Sequence, residues 1–220
     1  MPALPLIWKD IQIQNQKLWD TMQIKPERKA ECEKRFLQLI ANRSKYLEVA
    51  NIIKMPWYVI ACIHSMEAGG NFSKHLHNGD SLAKRTVHVP ARRPIADPAA
   101  GKDKDGNWLP YTWKESALDA LRLKGCDKIT DWSIPRILYL MEGYNGYGYR
   151  QYHPNVNTPY LWSFTNHYVK GKYVADGKWD ANAVSLQVGA ACLLKLLIEA
   201  DQKIVAKEKE QAEKAKEQKP

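Results

Sequence analysis

The chain lacks several things that would otherwise direct its reading. Its four cysteines, Cys32, Cys62, Cys126 and Cys192, stand no closer than thirty positions apart, which excludes a C-x-x-C metal or redox motif. Cys62 and Cys192 fall inside apolar helical runs and read as small core residues, so reduced thiols are expected. No apolar run approaches the ~18 residues of a membrane span. The start, Met1-Pro-Ala-Leu-Pro-Leu-Ile-Trp8, has no basic residue and is broken by two prolines. No signal peptide is expected there, and the chain reads as a soluble product of the cytoplasm. There is no Gly-x-Ser-x-Gly elbow and no phosphate-binding P-loop, which removes support from acyl transfer and nucleotide chemistry. No internal repeat and no recognisable nucleic-acid motif is present. Phenylalanine is scarce: three, against eight tryptophans and eleven tyrosines. The aromatic content is therefore mostly amphipathic, a flat apolar face with a polar handle.

What is present begins with charge. Thirty-three Lys and Arg against 24 Asp and Glu give a net charge of +9. Such a surface is drawn to polyanions: nucleic acid, anionic membrane or bacterial cell wall. A length of 220 residues is enough for one domain with a substantial core and appended helices.

Apolar spacing predicts a helix over 8–24 and one longer helix over 27–52. Residues 1–54 then form a helical region packed onto a main domain spanning 55–205. Pro56 opens a third helix that ends at Glu67–Gly69. Residues 74–111 read as loop with short strands. The β-branched alternation of Arg85-Thr-Val-His-Val89 predicts one strand of a small sheet, and Asp105-Gly106 a hairpin turn. Thr112-Trp-Lys-Glu115 fits a capping box for a helix stopped by Gly125. Ser133 can cap a helix over Ile134–Glu142, followed by a Gly/Tyr loop, Gly143–Tyr149, and an irregular stretch over 150–179. Asp180 is expected to cap a last helix, Ala181–Ile198, in which Gly189 allows close approach of a neighbour. Residues 206–220 are a charged tail, either a solvated helical extension or disordered. The predicted class is α+β, predominantly α-helical, with the small sheet inserted between the Glu67 helix and the Thr112 helix.

Chemistry concentrates after that third helix. Glu67 ends an apolar run beside Gly69-Gly70, so its carboxyl is expected to be partly desolvated and to hold a proton near neutrality. Asp80, in the polar loop His75-Leu-His-Asn-Gly-Asp80, is expected to be hydrated and ionised. Two carboxyls in unlike surroundings are the pairing a glycosidase uses. An inverting enzyme places them roughly 6.5–9.5 Å apart around a water. The Thr86 hydroxyl could help to hold that water. His75, His77 and Asp80 could also be read as metal ligands, but no fourth ligand is near, and neither metal nor cofactor is expected. Tyr144, Asn145, Tyr147, His77 and Trp162 are candidates for contact with a sugar.

The order of helix-terminal Glu67, loop Asp80 and Thr86 resembles phage-type lysozymes, whose pattern is Glu-x8-Asp-x5-Thr. Here it is Glu67-x12-Asp80-x5-Thr86, with a longer first gap; chitosanases of the same superfamily also vary this gap. Met66-Glu-Ala-Gly-Gly-Asn-Phe72 is similar to the Glu-Ser-x-x-x-Phe start of soluble lytic transglycosylases. Tyr144-Asn145-Gly146 is similar to their Tyr-Asn-Ala-Gly motif, while their Gly-Leu-Met-Gln motif has no counterpart. The resemblance covers roughly 55–198 and implies a lysozyme-like fold. It further implies that Glu67 is the acid, that Asp80 and Thr86 hold the water, and that Tyr144 and Asn145 lie against the sugar. The substrate implied is peptidoglycan or a related amino-sugar polymer, cleaved at β-1,4 bonds in the manner of an endolysin that reaches the wall after release from the cell. Transglycosylase or chitinase/chitosanase-type activity is the alternative on the same fold. A non-catalytic basic binder of glycan or nucleic acid is the alternative of another class.

Overall fold

A computed structural model describes residues 6–217. The chain is mostly helical, with one two-stranded antiparallel sheet among the described residues. In order, it forms α1 (Trp8–Asp20), α2 (Lys29–Ile40), α3 (Arg43–Ile53), α4 (Trp57–Ala68), α5 (Trp113–Leu123) and α6 (Ile134–Asn145). Then come α7 (Gly148–Tyr152), α8 (Pro159–Trp162), β1 (Lys172–Ala175), β2 (Lys178–Asp180) and α9 (Ala190–Glu217).

α4 is the central helix. Val59, Ile60, Ala61, Cys62 and Ile63 are all fully buried, as expected of a helix apolar on every side. Pro56 stands one place ahead of it as N-cap, and Gly69, with φ of 61°, ends it in the left-handed conformation. The Gly70 N–H then bonds back to the His64 carbonyl at 3.1 Å, which closes the C-terminus. α3, α5, α6, α8 and α9 contribute to the same core. α1 packs on α6, and α2 on α9. No single helix among the described residues is long and apolar enough to cross a membrane.

Several local expectations change. The single helix over 27–52 is two helices, broken at Ala41-Asn42. The Asn42 side chain donates to the Gln38 carbonyl at 3.0 Å, and such side-chain bonds compete with the helical ladder. The buried faces of α2 (Cys32, Leu39) and α3 (Tyr46, Val49, Ile53) happen to continue one spacing across the break. The strand expected at 85–89 is a loop doubled back on itself, with Thr86 and Arg93 bonded through their backbones. Val87 and Val89 face solvent, and no strand among the described residues lies beside them. Between α4 and α5 there are only two isolated bridges, Lys74 with Ser81 and Lys102 with Trp108, the second closing the Asp105-Gly106 turn. The sheet lies instead in the stretch expected to be irregular, with Tyr173 opposite Trp179 across an Asp176-Gly177 turn. α9 starts at Ala190, not Ala181. Asp180 ends β2, and its Oδ1 accepts from the N–H groups of Asn182 and Ala183. Gly143, Tyr144 and Asn145 form the last turn of α6 rather than a loop. The Thr112 capping box is present in full.

Candidate active site

Glu67 occupies the last turn of α4, where the helix leaves the core. Its side chain enters a cleft of about 360 Å³ bounded by His77, Asn78, Val89, Pro90, Lys124 and Tyr144. The Tyr160 hydroxyl donates to Glu67 Oε1 at 2.7 Å. Burial pushes the Glu67 carboxyl above its ordinary value, opposed by the Tyr160 bond and by the Lys124 charge. Because Oε1 receives a donor, the proton of the neutral acid belongs on Oε2. The carboxyl is thus desolvated, oriented and protonatable, the condition of a general acid.

The loop after α4 is fastened to that site. Gly79 has φ of 78°, and a Cβ there would stand 3.0 Å from the Glu67 carbonyl, so only glycine lets the Asn78–Asp80 turn lie against the helix end. Asp80 is ionised but little hydrated. Its Oδ2 accepts from Asn78 Nδ2 and from the N–H groups of Val87 and His88, at 3.2, 2.8 and 3.0 Å. Its Oδ1 accepts from His88 Nδ1 at 2.6 Å. Desolvation opposes ionisation, but these His88 and Val87 donors outweigh it and hold the carboxyl well below its usual range. One Oδ1 lone pair remains, on a side chain that is 14% exposed. The Thr86 hydroxyl donates to the Pro90 carbonyl at 2.6 Å and accepts from Arg93 N–H at 2.9 Å. Thr86 is buried, and neither it nor Asp80 lines the Glu67 cleft.

His77 lines the cleft and is held from behind. Its Nε2–H donates to Asp119 at 2.8 Å, and Arg93 grips both Asp119 oxygens at 2.8 and 3.0 Å. Ser116 Oγ lies 3.4 Å from His77 Nδ1. Ser116, His77 and Asp119 have the composition of an acyl-transfer triad. However, Ser116 is 0% exposed, accepts from Leu76 N–H and bonds His75 at 2.8 Å. A hydroxyl so placed meets no substrate, and the network instead fastens the 75–93 loop to α5. Both ring nitrogens of His75 are engaged, with Ser116 and with the Lys84 carbonyl. His64 is a core residue among Tyr46, Phe72 and Trp113, its imidazole pushed down to about 4 by burial.

Tyr144 stands at the cleft, its ring under the Lys124 ammonium at 4.9 Å. Asn145, the last residue of α6, is exposed, and its side chain makes no hydrogen bond among the described residues. Tyr147 lies outside the cleft, stacked on Tyr139 at 4.9 Å. Trp162 corrects the expectation of a sugar platform. It is 1% exposed and belongs to the core, with no open ring face. Tyr160 and Lys124, the groups that act on Glu67, stand in no motif of the sequence. Tyr160 is 93 positions away from Glu67, in a stretch with no motif, and only the packing of α8 against the core brings it near. Comparison of the chain with protein-family models, with curated proteins and with solved structures yields no match.

Proposed function

We propose that the protein is a glycoside hydrolase of lysozyme-like fold that cleaves β-1,4 bonds in peptidoglycan, with Glu67 as general acid. The observation that carries this reading is Glu67 itself: a half-buried carboxyl, raised by desolvation, fixed by Tyr160 and opening into a cleft. The sequence resemblance supports the same residue in the same role. Protonated Oε2 donates to the leaving glycosidic oxygen as the sugar gains oxocarbenium character. In the hydrolytic reading, the remaining Oδ1 lone pair of Asp80 takes the proton of a water that attacks the opposite face and inverts the anomeric centre, which would require the loop to bring Asp80 to the cleft it does not line. The basic balance suits a wall that carries acidic peptides better than cationic chitosan.

A second reading is favoured by a specific observation. Most of the Asp80 acceptor capacity and the Thr86 donor are committed to their own loop. Attack by the substrate's own acetamido group or 6-hydroxyl needs neither of them. A 1,6-anhydro product end marks the 6-hydroxyl route; a reducing end marks water as the final acceptor, with inversion where it attacks directly and retention where it opens the oxazoline left by acetamido attack. The founding test is Glu67→Gln, assayed by the clearing of outer-membrane-permeabilised cells. Loss of at least about 100-fold is expected for removal of a general acid, and activity equal to wild type would sink the assignment.

A further inference from the structure

A second cleft, of about 390 Å³, meets the first at Lys124 and Tyr144. Lys124, Lys128 and Arg136 line it together with Tyr139, Tyr144 and Tyr147, and no acidic residue does so. None of the three cations forms a salt bridge among the described residues. Two of them, Lys124 and Arg136, are held instead over aromatic faces. The Lys124 ammonium lies 4.9 Å from the Tyr144 ring, and the Arg136 guanidinium 5.6 Å from Tyr139 and 5.2 Å from Trp8. Tyr147 is stacked on Tyr139 and anchored by donating to its carbonyl at 3.1 Å. Cation–π contacts orient these groups without neutralising them. A concavity lined by cations that form no salt bridge, and by no acidic side chain, focuses its potential on an anion, and tyrosine faces beside it suit apolar or sugar surface.

We propose that this cleft is a subsite for the carboxylate-bearing peptide branch of the glycan whose backbone lies along Glu67. The inference rests on the glycosidase reading and narrows its substrate: the preferred polymer carries a free carboxylate close to the scissile bond. Neutral chitin lacks that anion, and cationic chitosan would meet like charge.

The test compares a peptide-bearing tetrasaccharide of two repeats, with free carboxylates, with the same molecule amidated. Lys128 and Arg136 are the residues to change, because Lys124 also acts on Glu67. Wild type should prefer the acidic form by about tenfold in kcat/KM, the effect of one charge-assisted hydrogen bond. In K128Q/R136Q the preference should shrink to about twofold, and K128R should keep it, because the positive charge is retained. Each preference is a ratio within one protein, so partial loss of folded material does not alter it. Equal cleavage of both forms by wild type, or an undiminished preference in K128Q/R136Q, would overturn the subsite. If neither form is cleaved, the glycosidase reading fails separately. Calorimetric binding of the two forms to Glu67→Gln protein then decides the subsite: tighter binding of the acidic form supports it, and equal or absent binding overturns it.

Discussion

At the scale of the residue, the site depends on how one carboxyl is kept protonatable without being left adrift. Burial alone would raise Glu67 and leave its two oxygens equivalent. The Tyr160 hydroxyl breaks that equivalence by donating to Oε1, and it lowers the carboxyl against the dominant effect of burial. Tyr160→Phe keeps the ring and removes only that donor. The carboxylate then loses a stabilising hydrogen bond, so the Glu67 pKa should rise further. A general acid works in its protonated form, and activity falls as pH rises through its pKa. The alkaline limb of the pH–activity profile should therefore move to higher pH in Y160F. The maximal rate should fall about tenfold, because Oε2 is no longer fixed toward the leaving oxygen. A pH series on a soluble glycan substrate, with melting temperatures of both proteins, checks this. A limb that stays in place would mean that it does not report Glu67.

At the scale of the element, the legible parts were those whose cause lies within a few residues. The Pro56 start and Gly69 stop of α4 and the capping box of α5 are local chemistry, and the sequence displayed them. So did the solvated character of residues 206–211, which continue α9 as exposed helix, while 218–220 of the expected charged tail lie outside the described residues. The misreadings have non-local causes. Alternation at 85–89 specifies a strand only if another strand lies beside it, and none does. Asn42 breaks a helix whose apolar spacing runs on through the break. Trp162 looked like a platform because nothing local says which aromatic faces inward. In the candidate site, Glu67 and its loop were visible, whereas Tyr160 depends on tertiary packing. The neighbour that Gly189 lets approach closely is the α8 end rather than another long helix. A Cβ there would lie 2.4 Å from the Leu161 carbonyl oxygen and 2.5 Å from that of Ser163. These are backbone atoms of a segment packed on α9, and they cannot move aside as a side-chain tip can. Gly189→Ala should destabilise the fold by about 1–3 kcal/mol, the range for overpacking, measured by thermal melting. Because Tyr160 is carried on α8, activity should fall with it even below the melting transition.

At the scale of the whole molecule, the net charge of +9 raises the question of where polyanion binding resides. The terminal helix invites the assumption that its lysines form a basic tail, but its charges nearly cancel. Residues 209–220 contain Lys209, Lys214, Lys216 and Lys219 against Glu210, Glu213 and Glu217, a difference of one positive charge. Their removal leaves +8 on the rest of the chain. The ion pair between Arg43 and Glu208 would stay, and the exposed Lys214–Glu210 pair would be lost. A pair of that kind contributes little in water. Deleting 209–220 should therefore shift stability by no more than about 0.5 kcal/mol. Retention on isolated cell-wall sacculi should weaken as sodium chloride rises, because salt screens exposed charge over a distance of roughly 10 Å at 0.1 M. The dependence on salt should be the same with and without the tail if the cations around the clefts carry the attraction. A truncated protein that bound sacculi weakly at every salt concentration, while melting normally, would locate the attraction in the tail and deprive the cleft cations of that role.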